Sequence, residues 1–180
     1  FVTGNTVVDA LHQMLEGTPS ASVRKVLKVV RRVAPAPRDL RLIVLTAHRR
    51  ENIGEPILNI FTAVSRLLQE YEDIFVLYPI HLNPTIRALA EGHFGGDILG
   101  KLEKSGDMPS SHTHLKRLLL LPPVDHADLL FFVKESFFVM TDSGGIQEEA
   151  VTLGKPVLVL RDTTERPEGV LAGAAKLVGQ

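Results

Sequence analysis

Five apolar runs of strand length recur along the chain: Leu40–Ala47, Ile74–Ile80, Leu118–Leu121, Phe137–Thr141 and Pro156–Leu160. Runs that are apolar at nearly every position, rather than at alternate ones, belong to strands covered on both faces, as in a parallel sheet. Segments with apolar residues at helical spacing lie between them, such as Ile57, Ile60, Phe61, Val64 and Leu67. Strand and helix alternate without an internal sequence repeat, which predicts a doubly wound α/β domain.

The segments around the strands read as follows. Asn5 or Thr6 can cap a first helix running to about Leu15, with Val7, Val8, Leu11 and Leu15 on its apolar side. Gly17–Ser20 breaks it. Val23, Val26, Leu27 and Val30 mark a second helix, whose Arg24, Lys25, Lys28, Arg31 and Arg32 read as a solvated face. Ala34–Pro37 is a stiff connector. Gly54 and Pro56 restart a helix, and another runs through Ile86 and Leu89. From Gly92 to His114 periodicity fades, and the stretch reads as a surface loop with a short helix near Ile98–Lys104. Asp125 can cap a helix over Ala127–Glu135, and Ile146–Leu153 is helical in pattern.

The most informative stretch is Thr141–Asp142–Ser143–Gly144–Gly145–Ile146–Gln147–Glu148–Glu149–Ala150. It joins an apolar strand to a helix. Such a turn presents free backbone N–H groups and the positive end of a helix dipole, which favour an anion. Paired glycines let a ligand approach the backbone without a Cβ in the way. Glu149 lies roughly 9 Å along the helix from Ser143 at 1.5 Å rise per residue. That is about the reach from the phosphates of a nucleoside diphosphate to its ribose hydroxyls, so the pattern suggests phosphates at the turn and ribose on Glu149. The plainer reading is a strand–helix turn with an exposed glutamate pair.

Polar clusters stand at the ends of four strands: His48–Asn52, His81–Pro84, Asp142–Gly145 and Arg161–Glu168. Parallel strands place their carboxyl ends on one edge, so these clusters can converge on one ligand crevice. Composition excludes other classes of function. The 180 residues carry a net charge of −1, so neither nucleic acid nor an anionic membrane is an expected partner. With no cysteine there is no disulfide, thiolate metal site or cysteine nucleophile, which fits a reducing cytoplasm. No apolar run approaches the ~20 residues of a membrane span. No secretory signal is evident, and a first residue of Phe rather than Met reads as part of a larger protein.

The stretches VTGNTVVDAL at the start, LTAHRRENIGEP from Leu45, YPIHLNP from Tyr78, TDSGGIQEEAVTLGKPVLVLRDTTERPEGV from Thr141 and KLVG near the end carry a resemblance over nearly the whole chain. It resembles the carboxyl-terminal domain of the non-hydrolysing UDP-N-acetylglucosamine 2-epimerases. That resemblance implies a Rossmann-like domain, one half of a two-domain architecture similar to the B-type glycosyltransferases. Residues 1–36 would be a helical lead-in from a first domain and residues 37–180 the UDP-binding domain.

The resemblance also implies residue roles. His48 matches a histidine near the diphosphate needed for activity. Ser143, Gly144 and Gly145 match the phosphate-binding turn, Glu149 the ribose-binding glutamate, and Arg166 an arginine lining the nucleotide site. Arg49 and His81 match positions that contact a second, activating UDP-N-acetylglucosamine in bacterial members. Two departures stand out. The loop from about Gly100 to His114 is longer than the family's, and Leu129 stands where the family has an aromatic residue beside the uracil, with Phe131 and Phe132 just beyond.

The family eliminates UDP across C1 and C2 of the sugar and adds it back after C2 is reprotonated on the other face, interconverting UDP-N-acetylglucosamine and UDP-N-acetylmannosamine. That chemistry implies no cofactor and no metal. Its acid–base residues belong to the first domain, so the chain alone is expected to bind UDP and UDP-N-acetylhexosamine without turning them over. A homodimeric full-length protein, a cytoplasmic location and a place in cell-surface polysaccharide biosynthesis are the further expectations. The alternatives are the donor domain of a UDP-sugar glycosyltransferase and a non-catalytic sugar-nucleotide binding module.

Overall fold

The computed structural model describes residues 1, 4–33, 40–95 and 115–179. The expected connector Ala34–Pro37, the helix near Ile98–Lys104 and the long loop up to His114 lie outside the described residues.

The strands are β1 (Arg41–Thr46), β2 (Ile74–Pro79), β3 (Leu118–Leu121), β4 (Phe138–Thr141), β5 (Val157–Val159) and β6 (Ala175–Leu177). They form one sheet in the order β3-β2-β1-β4-β5-β6, and every pairing is parallel. The helices are α1 (Thr6–Glu16), α2 (Ala21–Val33), α3 (Glu55–Glu70), α4 (Pro84–Phe94), α5 (His126–Glu135), α6 (Gly144–Thr152) and α7 (Pro167–Leu171). This is the Rossmann-like doubly wound α/β architecture.

Strand β1 shows why the runs are continuous. Its Ile43 and Leu45 face one core with Ile57, Phe61 and Val64 of α3. Its Leu42 and Val44 face the other, with Val23 and Val30 of α2 and Phe132 of α5. Alternating side chains from Leu42 to Leu45 thus meet helices on opposite faces, so the run between the strand's ends is apolar at every position. The basic residues of α2 are all exposed, as expected. Asn5 caps α1 by accepting from the Val7 N–H at 3.1 Å. Of the α1 residues assigned to an apolar side, Leu11 is buried and Val7 is exposed.

Four elements differ from expectation. Helix α4 runs through Gly92 to Phe94, because Ala90 and Phe94, one turn apart, both reach the core. It stops at Gly95, whose φ of 96° suits a residue without Cβ. Asp125 stands at the cap position of α5 but makes no side-chain capping bond. Helix α7 and strand β6 follow the last expected strand. Neither has a long apolar run: α7 has no buried residue and the middle of β6 is the exposed Lys176.

Candidate functional site

The strand order reverses direction between β1 and β4, the two strands that leave their shared central pairing for opposite edges. In an open parallel sheet, the carboxyl ends at such a switch point open a crevice for ligands. Thr46 and Thr141 are register partners there. Their buried hydroxyls lie 2.6 Å apart, and the Thr141 hydroxyl also accepts the Ser143 N–H at 3.0 Å. The two strand ends are tied together one residue before each chain turns away.

Asp142 makes the second tie. It is fully buried, and its Oδ2 accepts the backbone N–H of His48 and of Arg49, each at 2.7 Å, and the Asn52 side-chain amide at 3.0 Å. Asn52 is itself fully buried and donates further to the Leu160 carbonyl at 3.3 Å. One carboxylate thus fixes the turn after β1 against the turn after β4. His48 Nδ1 stands 3.4 Å from Asp142 Oδ1, which leaves Nε2 on the opposite side of the ring. The His48 and His81 rings stack with centroids 5.3 Å apart. A cavity of about 220 Å³ lies here, lined among others by His48, His81, Leu129, Ser143 and Ile146.

The amino end of α6 opens beside it. Ser143 makes no capping bond with its hydroxyl, so the first-turn amides have no acceptor from their own cap. The two glycines are not equivalent. A Cβ on Gly145 would meet nothing within 4 Å, whereas a Cβ on Gly144 would lie 3.4 Å from Glu165 Oε2 and 3.8 Å from an Arg49 nitrogen. A Cβ at Gly144 would thus make ordinary van der Waals contact with the ends of these two side chains. Glu165 brings its carboxylate to this helix end and pairs there with Arg161 at 3.1 Å and Arg49 at 3.8 Å. The hydrogen bond from Arg161 holds the Glu165 carboxyl below its ordinary range, with Arg49 adding to the effect. Arg161 in turn bonds Glu51 at 2.9 Å. The cluster shows that this helix end accommodates a carboxylate between two arginines, as a phosphate oxygen would require.

Glu149 lies further along α6 and is buried. Its Oε1 stands 2.7 Å from His126 Nε2, and its Oε2 is a buried oxygen without a hydrogen-bond partner. A buried carboxylate oxygen without a donor is uncommon and costs about 1–3 kcal/mol.

The family model described as UDP-N-acetylglucosamine 2-epimerase matches residues 1–180. The chain belongs to the UDP-N-acetylglucosamine 2-epimerase family. It is 46% identical over 179 residues to the UDP-N-acetylglucosamine 2-epimerase of Bacillus subtilis, covering 99% of this chain and 40% of that protein. The structure of S. aureus MnaA with UDP superposes with a TM-score of 0.75 at 43% identity, over 98% of this chain and 41% of that one. The epimerase of Neisseria meningitidis bound to UDP-GlcNAc gives a TM-score of 0.74 at 39% identity, over 98% and 42%. The chain thus spans about 40% of the length of the curated epimerases it matches.

Within this epimerase domain, His48, Arg49, His81, Ser143 and Gly144 come together around the β1–β4 switch point. Glu149 stands on the α5 side of α6. Arg166 is placed differently: its guanidinium pairs with Glu148, not with Glu165 or Glu168, and donates to the Glu165 carbonyl at 3.0 Å. It lines a separate cavity of about 370 Å³ with Asn5, Gln147 and Glu148. Leu129 does line the crevice cavity. No individual role for Asp142, Asn52, His126, Arg161 or Glu165 is legible in the sequence. Asp142 sits inside the quoted motif and Arg161 and Glu165 inside a marked polar cluster, while nothing in the spacing marks His126. Among the described residues no group of three or more histidine, aspartate or glutamate side chains is arranged to hold a metal ion. No described helix is long and apolar enough to cross a membrane.

Proposed function

We propose that the chain is the UDP-holding half of an enzyme that interconverts UDP-N-acetylglucosamine and UDP-N-acetylmannosamine by eliminating and re-adding UDP. The observation that carries the reading is the Asp142 clamp, which fixes the His48 turn beside the open amino end of α6. Diphosphate oxygens would meet the Ser143 hydroxyl and the Gly144 and Gly145 amides with Arg49 and Arg161 close by, and the ribose would reach Glu149. UDP gains negative charge as it leaves the sugar. Amides, a helix amino end and the His48 imidazole are groups whose hold strengthens as that charge develops. The same groups must retain UDP until it adds back.

Arg166 would join the site by leaving Glu148 for the ligand. Arg49 and His81 would contact a second, activating sugar nucleotide. Residues 1–36 would lead in from the first domain, which would supply the groups that remove and return the C2 proton. The full-length protein would be a cytoplasmic homodimer feeding cell-surface polysaccharide synthesis.

Incubating the full-length protein with UDP-N-acetylglucosamine and resolving the sugar nucleotides by chromatography tests the reading. The manno epimer should appear without any acceptor. A sugar product that forms only when an acceptor is added would instead make this the donor domain of a glycosyltransferase.

A further inference from the structure

His126 opens α5, and its Nε2 reaches Glu149 Oε1 at 2.7 Å across a sequence separation of 23 residues. The two side chains are unequally placed: that of His126 is 51% exposed and that of Glu149 only 7%. The imidazole therefore lies on the outer side of the carboxylate, where an approaching ligand meets it first. Leu129, one turn along α5 from His126, lines the cavity shared by His48 and Ser143.

The pair is one donor short. A carboxylate accepts through both oxygens, but a single imidazole nitrogen donates one bond. The second oxygen, Oε2, is buried without a partner. A vicinal diol carries two hydroxyl donors and can serve both oxygens. A diol that takes both oxygens must displace the imidazole that already holds Oε1.

We propose that His126 is a further residue of this site and sets its affinity for the nucleoside half of the ligand, by contending with a ribose diol for Glu149. The proposal rests on the nucleoside diphosphate reading above. When the diol takes the carboxylate, the half-exposed imidazole turns outward into water, where its nitrogens are hydrated. The bond it gives up is subtracted from the gain of the ribose. Nothing is subtracted from the phosphates, which meet α6 at Ser143–Gly145, a turn and a half away.

Calorimetric titration of the full-length protein with UDP and with pyrophosphate tests this in the wild type, His126→Leu, His126→Gln and Glu149→Ala. His126→Leu removes the competing donor and should tighten UDP about three- to tenfold, since the bond is charge-assisted but half exposed. Pyrophosphate affinity should stay unchanged, which also reports that the variant is folded. His126→Gln keeps a donor and should remain within about twofold of wild type for both ligands. Unchanged or weaker UDP binding in His126→Leu overturns the proposal, as does an equal change for pyrophosphate. Failure of the wild type to bind UDP, or undiminished UDP binding in Glu149→Ala, overturns the nucleoside diphosphate reading and this proposal with it.

Discussion

The Asp142 carboxylate accepts the backbone N–H of His48 at 2.7 Å across 94 residues of sequence, and it does so from a fully buried position. It also takes the Arg49 amide and the Asn52 side chain on the same oxygen. A buried charge is tolerated only when donors surround it. Here the donors are the turn that carries the candidate catalytic imidazole. The stability of the domain and the placement of His48 therefore depend on one side chain.

Asp142→Ala should lower the unfolding free energy by about 3 kcal/mol or more, because three donors lose a charged acceptor in a buried setting. Asp142→Asn, which keeps an acceptor oxygen, should recover part of that loss. Urea unfolding followed by circular dichroism measures both. A loss under about 1 kcal/mol for Asp142→Ala would show that the turn holds without the clamp.

That bond also marks the limit of what the sequence shows. Strands β1 to β5 are legible because burial on two faces leaves continuous apolar runs. Strand β6 is not, because three residues with an exposed Lys176 in the middle look like any loop. His48, Ser143 and Glu149 stand out because each follows a strand or sits at a telling distance from a glycine turn. Their partners do not. Asn52, Asp142 and His126 acquire meaning from contacts that span 90, 94 and 23 residues. Arg166 shows the same limit from the other direction. Its position in the motif is plain, but its pairing with Glu148 depends on how α6 and the chain before α7 face each other.

The Glu165 cluster predicts an acid limb in stability. Arg161 and Arg49 hold the Glu165 carboxyl below its ordinary value of 4.5. A carboxyl depressed in the folded state stabilises it above the unfolded value, and that contribution fades as pH falls through the lower folded value. Asp73, held down in the same sense by Arg41, adds a limb of its own. Glu165→Gln should therefore flatten, without abolishing, the fall in melting temperature from about pH 5 downward. Its melting curves should be measured at low salt, where an exposed pair is least screened. Parallel curves for wild type and variant would show that the cluster contributes nothing to folding.

Glu149→Ala should weaken UDP far more than pyrophosphate. The carboxylate is a turn and a half along α6 from the phosphate turn and faces α5. Each charge-assisted hydrogen bond to a ribose hydroxyl is worth roughly 1.5–3 kcal/mol. Competition binding with the two ligands separates the contributions. Equal losses for both would mean that Glu149 supports the fold of the turn rather than the ribose.

His48→Ala, made in the full-length protein, should lower kcat more than it raises KM. The imidazole is fixed by its own backbone N–H to Asp142, and its Nδ1 faces the same carboxylate, so Nε2 is the atom left to meet a ligand in the crevice. A donor placed there binds the diphosphate in the ground state, but its hold grows as UDP takes up charge on leaving C1. Interactions that strengthen in this way appear in kcat, whereas uniform binding appears in KM. Losing one such donor typically costs ~10²–10³ in rate. The backbone bond to Asp142 survives the substitution, so the turn should keep its shape and the melting temperature should change little. Steady-state kinetics of the epimerisation, run beside thermal melts, reads both quantities. A raised KM with unchanged kcat would reduce His48 to a ground-state phosphate contact. A large fall in melting temperature would instead assign the lost activity to the fold.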